Sequence, residues 1–78
     1  MISRRIVDFI LLGEKGSISD GFSTVQILKD GDSTQVQVDT EHNRISGILL
    51  DAWIDEMGDL SIIFPEAEVK IVVEGVPA

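Results

Sequence analysis

The chain has 78 residues, with 14 acidic and 6 basic side chains, one histidine and no cysteine. A chain this short makes one domain, 1–78, that buries only about 60–65% of its unfolded surface, so its core is thin. Lack of cysteine excludes a disulfide framework and thiolate metal sites, and a net charge of -8 opposes direct binding to nucleic acid or an anionic membrane.

Ile and Val together number 19, against 6 Leu and 3 Ala. That bias favours strands, because β-branched side chains lose rotamer freedom in helices and pack well on a pleated surface. The first apolar run gives a strand over 4–12. Its Ser3-Arg4-Arg5 opening echoes a twin-arginine signal, but Ile6 to Leu12 is short and carries Asp8, so the expectation is a cytoplasmic protein. Gly13-Glu14-Lys15-Gly16 ends that run, and Ser19-Asp20-Gly21 interrupts the next segment. Strands are predicted at 22–29 and 34–39, joined by a type I′ hairpin turn at Asp30-Gly31. In the second of these, Gln35-Val36-Gln37-Val38-Asp39 alternates strictly, which gives one buried and one wet face.

Segment 41–57 reads two ways. As a helix, Thr40 caps it, Ile45, Ile48, Leu49, Ala52 and Trp53 share a face, and Gly58 ends it. Against that, Glu56 points into the apolar face, Leu50 and Ile54 point away, and Asn43, Ser46 and Gly47 are poor helix formers. The preferred reading is a strand over 45–54, followed by a turn at Glu56-Met57-Gly58-Asp59. Strands at 60–64 and 69–74 follow, separated by a turn at Pro65-Glu66, with 75–78 a loose tail. The expected fold is mainly β: a small single-domain antiparallel sheet, barrel or sandwich of five to six strands. The alternative is α+β, with one helix at 41–57 packed on the sheet.

Three short motifs bear on chemistry. Asp30-Gly31-Asp32-Ser33-Thr34 resembles the DxDxT signature of haloacid-dehalogenase-type phosphotransferases, which would imply a nucleophilic Asp30, an acid/base Asp32 and magnesium. That family's doubly wound parallel sheet needs crossovers of a dozen or more residues each, and 78 residues leave no room for them. Asp30 and Asp32 also begin a D-x-D calcium pattern, with Glu41 at the twelfth position but no glycine at the sixth. Gly13-Glu14-Lys15-Gly16 resembles the GXXG loop of KH domains, whose amides clamp a nucleic-acid backbone. A KH loop joins two helices on a basic surface, whereas these flanks read as strand and only Lys15 is basic, so a glycine turn is preferred. His42, beside Asp39 and Glu41, has no anchored partner for catalysis or metal binding. No catalytic residue, metal or cofactor is assigned, and the chain is not expected to be an enzyme.

Charge is uneven. Residues 40–78 hold eight acids and two bases, and no base occurs from Ile45 to Val69. On a strand, Asp51 and Asp55 share a face with Trp53, so Asp51, Trp53, Asp55, Glu56 and Asp59 form a candidate partner-binding patch for a basic protein surface. Several apolar runs are two-faced, which one thin core cannot hide. A helix or another chain must supply cover, and Ile62, Phe64, Ile71 and Val73 are the candidate self-association residues. The expected function is that of a small acidic interaction module. In sharper form it is an inhibitor or adaptor, phage- or mobile-element-encoded, that occupies a nucleic-acid-binding surface. The alternative is a structural subunit of a homo-oligomeric or larger assembly.

Overall fold

A computed structural model describes residues 2–74 and shows one helix followed by seven strands. Helix α1 spans Arg4–Leu12. The strands are β1 (Gly16–Ser19), β2 (Thr24–Asp30), β3 (Ser33–Asp39), β4 (Arg44–Ile48), β5 (Asp51–Ile54), β6 (Leu60–Ile63) and β7 (Glu68–Ile71). They form two antiparallel sheets in sequential order, β1-β2-β3-β4 and β5-β6-β7. The protein is thus mainly β. The proposed tail at 75–78 lies outside the described residues.

The opening segment is a helix rather than the expected strand. Ser3 is its N-cap, accepting from the Ile6 amide at 3.4 Å, and Gly13 closes it in the left-handed region with its amide on the Phe9 carbonyl at 3.3 Å. Ile6, Val7 and Ile10 are fully buried, while Arg4, Arg5 and Asp8 face out. Nine residues are too few for a stable isolated helix, and two arginines in the first turn oppose the helix dipole. Tertiary burial therefore holds it, at about 1.5–3 kcal/mol for each buried aliphatic side chain. The cover demanded by the two-faced strands comes from this helix, not from one at 41–57.

Segment 41–57 contains no helix. The expected single strand over 45–54 is two strands in different sheets. The Leu49 amide still bonds to Thr34 of the first sheet, at 2.8 Å, and the Leu50 amide bonds to Ile63 of the second, at 2.9 Å. Side-chain alternation slips at this junction. Ile45 and Leu49 pack on the core by odd number, Ala52 and Ile54 by even number. A strand that switches sheets must bend in this way to keep feeding one core. The break and the unforeseen β1 each add a strand and the helix at 4–12 removes one, which turns the six strands read from the sequence into seven.

The β2–β3 hairpin is present, shifted by one residue. Asp30 pairs with Ser33, so Gly31-Asp32 form the loop, and Gly31 alone has positive φ, at 61°. A first loop residue with positive φ and a second without it fits a type II′ turn, where the sequence reading had placed a type I′ turn at Asp30-Gly31. The DGDST letters are this hairpin, and both sheets are antiparallel, which leaves the phosphotransferase likeness without its fold.

One core lies between the inner faces of both sheets and α1: Ile6, Val7 and Ile10 of the helix, Val25, Ile27, Val36 and Val38 of the first sheet, Leu60, Ile62 and Ile71 of the second. A row across the first sheet, Gly16–Ile27–Val36–Gly47, carries glycine on both edge strands. Phe9 lies over Gly16 and Phe64 over Gly47, where an added Cβ would fall 3.3 Å and 2.9 Å from the rings. Glycine inside a strand here admits an aromatic ring from the helix on one side and from the second sheet on the other. The N-terminal segment also pairs with the last described one. Ile2 bridges Val73 in parallel, through bonds of 2.9 Å and 2.7 Å to Val72 and Glu74.

Candidate functional site

The face of the second sheet turned away from the core carries the sequence-predicted patch. Ala52, Ile62 and Val69 share one cross-strand row, as do Ile54, Leu60 and Ile71, and all six belong to the core. The alternate rows, Trp53–Ser61–Lys70 and Asp51–Ile63–Glu68, therefore face outward. Asp51 and Trp53 are exposed, Trp53 by 40%, and Asp55 follows on the same side. Ser61, in the central strand between Trp53 and Lys70, is fully buried.

Asp55 is committed to the fold rather than free for a partner. Its Oδ1 accepts the amides of Met57 at 2.9 Å and Asp59 at 3.0 Å, which holds the β5–β6 turn. Its Oδ2 accepts from Lys70 Nζ at 2.9 Å and from the Ser61 hydroxyl at 3.4 Å. The Lys70 ammonium, followed by the turn amides, holds the Asp55 carboxyl below its ordinary range. The same bond raises Lys70, with Glu68 and Asp59 adding to it. Asp55 therefore leaves the set of contact residues. Asp51, Trp53, Glu56 and Glu68 stay exposed on or beside this face, and Asp59 is half-buried at the turn.

The residues assigned to self-association are largely interior. Ile62 is fully buried, Ile71 and Phe64 are buried, and Val73 is half-buried on the same core. Two-faced runs made them look like spare surface, and α1 and the first sheet cover them. The GXXG segment links α1 to β1, a helix to a strand. His42 is exposed in the β3–β4 turn, 3.8 Å from Glu41. No group of three or more His, Asp or Glu side chains suited to a metal ion occurs among the described residues.

A second feature was not singled out from the sequence. A cleft of about 360 Å³ opens where the start of the chain, the β1–β2 turn, the β3–β4 turn and the last described residue meet. Asp20, Ser23, Glu41 and Glu74 line it, with Phe22 and His42. Asp20 Oδ1 accepts the amides of Phe22 at 2.9 Å and Ser23 at 2.8 Å. These bonds, with help from the Ser3 hydroxyl, keep its carboxyl below the ordinary range. Asp-Gly after a strand signals such a turn. Nothing local signals that three distant segments close around it.

No helix among the described residues is long and apolar enough to cross a membrane. No protein-family model matches the chain, and no curated protein or solved structure is significantly similar to it.

Proposed function

We propose that the protein is a small acidic interaction module that engages a basic protein surface through the outer face of its second sheet. The observation that carries this reading is Trp53, 40% exposed on edge strand β5, with Asp51 two residues before it on the same face and Glu68 in the same cross-strand row as Asp51, beyond Ile63. An exposed indole stacks with an arginine guanidinium, and neighbouring carboxylates hold its charge. The one base in the facing rows, Lys70, is occupied by Asp55 and does not compete. Long-range attraction by the remaining acids would speed association and make it sensitive to salt. A protein with a basic nucleic-acid-binding surface is the partner class this charge suits, and covering that surface would make the chain an inhibitor or adaptor.

The test captures the partner with the wild-type chain and measures the pair by calorimetry at low and high salt. Asp51→Asn should weaken binding about two- to fivefold, as for an exposed ion pair. Trp53→Ala should cost on the order of 2 kcal/mol if the indole is the anchor. Binding that is independent of salt would overturn the reading.

A second reading, self-association within an assembly, draws on the outer face of the first sheet. Its central rows, Ser17–Gln26–Gln37–Ser46 and Leu28–Gln35–Ile48, carry no charge, and Leu28 and Ile48 are exposed. In a chain of net charge -8, this is where two copies would repel least. Light scattering separates the readings: a stable oligomer that Leu28→Lys dissociates supports assembly, and a monomer supports the module.

A further inference from the structure

We infer that the open edge of β4 pairs with β4 of a second copy, antiparallel about a two-fold axis at Ser46, so that two four-stranded sheets become one continuous sheet. The contact uses the edge of the first sheet rather than its outer face, and it does not depend on the Trp53 reading.

The β3–β4 ladder fixes where the β4 backbone groups point. The Thr40 amide donates to the Asn43 carbonyl at 2.8 Å, and the Leu49 amide donates to the Thr34 carbonyl at 2.8 Å. Both pairs continue the β3–β4 register, and in an antiparallel pair the hydrogen-bonded positions alternate with open ones. Val38–Ile45 and Val36–Gly47 are therefore bonded across the ladder, and the amides and carbonyls of Arg44, Ser46 and Ile48 point away from β3. All three residues are exposed, and none of these backbone groups has a partner among the described residues.

The other three edges are blunted. β1 has four residues and turns only Ser17 and Ser19 outward. On β5 the outward amide of Ala52 is taken by Asp51 Oδ1 at 2.8 Å. β7 carries Glu68 and Lys70 at its outward positions, and beyond them Ile2 bonds to Val72 and Glu74. Short length, charge and a covering segment are the usual guards of an edge strand. β4 has five residues, no acid, no Pro and no covering segment among the described residues.

Its sequence is complementary to itself. The three outward residues all pair at once only when Arg44 faces Ile48 of the second copy and Ser46 faces Ser46, which sets Ile45 opposite Gly47. Each opposed pair then lies on one face of the sheet. On the inner face, half-buried Ile45 of the second copy comes beside Gly47, where the Phe64 ring takes the space of the missing Cβ. On the outer face, the aliphatic stem of Arg44 covers Ile48, which is 39% exposed. The two Arg44 side chains stand at opposite ends of the pairing, each held by Asp39 of its own chain at 2.7 Å. In a chain of net charge -8, β4 brings no acid into the contact. Five residues a side bury less than the roughly 1,200 Å² of a standard interface, so the dimer forms in concentrated solution.

Amide hydrogen exchange and sedimentation of the whole chain over a concentration series test this. The Arg44, Ser46 and Ile48 amides should exchange rapidly in dilute solution and slow as the dimer forms, while those of Ile45 and Gly47 stay protected throughout. Ser46→Pro removes the outward N–H without touching the β3 ladder and should weaken dimerisation at least about tenfold. Ser46→Lys sets two ammonium groups face to face and should weaken it about fivefold, although it brings the net charge nearer zero. Leu28→Lys, on the outer face, should leave it unchanged. Salt should strengthen it by screening the net charge, opposite to its effect on binding at the Trp53 face. A chain that stays monomeric at millimolar concentration, or a dimer that Leu28→Lys dissociates and Ser46→Lys does not, would overturn the inference. So would slowing of the three amides only when a different protein binds, which assigns the edge to a strand of that protein.

Discussion

The β1–β2 and β5–β6 turns are built alike. In each, an aspartate Oδ1 accepts two amides of the following residues: Phe22 and Ser23 for Asp20, Met57 and Asp59 for Asp55. In each, the aspartate amide bonds back across the turn, at 3.1 Å to Ser23 and 2.9 Å to Asp59. In each, a buried serine lies close by. They part in what faces the rest of the carboxylate. Asp55 has the Lys70 ammonium and the Ser61 hydroxyl, so charge and polar groups are closed within the fold. Asp20 has no base beside it among the described residues, and turn amides with the Ser3 hydroxyl hold its carboxylate, with further acids across a cleft. The same turn chemistry thus closes on an ion pair in one sheet and on neutral donors alone in the other. Acid count alone would have ranked the Asp55 region the better binding site.

The widest break to this comparison is to loosen the contact that fixes one sheet on the other. Gly47→Ala places a Cβ 2.9 Å from the Phe64 ring, which must shift. Overpacking of this kind costs about 1–3 kcal/mol, read as a lower denaturant midpoint, and Phe64→Leu in the same chain should recover part of it. Both turns should stay formed by NMR until global unfolding. If one turn melts first, they do not belong to one cooperative unit and cannot be compared as two states of the same design.

The serines give a sharper contrast at smaller magnitude. Ser61→Ala removes a hydroxyl bonded to Asp55 and should cost about 0.5–1.5 kcal/mol. Ser23→Ala removes a hydroxyl with no bond among the described residues and should cost less than Ser61→Ala. Equal losses in chemical denaturation would show that the Ser23 hydroxyl is structurally engaged, and the distinction between the turns would fail.

Much of the architecture was readable, and the failures have local causes. The β2, β3 and β6 strands were visible because Gln35 to Asp39 alternates strictly and the flanking turns carry Asp-Gly or Pro. Helix α1 was missed because Ile6, Val7 and Ile10 are β-branched and its first turn is basic, so propensity and dipole both argued against what burial enforces. Its Ser3 and Gly13 caps were the available signal. Asp51, Asp55 and Trp53 were correctly placed on one face, since alternation along a strand fixes that much. That Lys70, fifteen residues away, would claim Asp55 depends on the β5–β6–β7 register, and the cleft depends on segments from both ends of the chain. Neither is written in any local pattern.

The finest test uses pH, because the two aspartates are held low for different reasons. Asp55 is depressed chiefly by Lys70, and Asp20 by the amides of Phe22 and Ser23. Each carboxylate contributes stability that is present above its unfolded value, near 3.8, and lost as pH falls through its lower folded value. Lys70 is raised above 10.5, so its contribution is present below that pH and lost as pH rises through the folded value. Lys70→Gln should therefore move the Asp55 carboxyl up toward its ordinary range in an NMR titration and remove the alkaline contribution. The Asp20 carboxyl should titrate where it did before, since backbone amides carry no charge to delete. Added salt should act in the same sense but more weakly, raising Asp55 by screening a partly exposed ion pair and leaving Asp20 nearly unmoved. If Asp20 follows Asp55 in either experiment, a base reaches it in solution, and the two turns hold their aspartates in the same way.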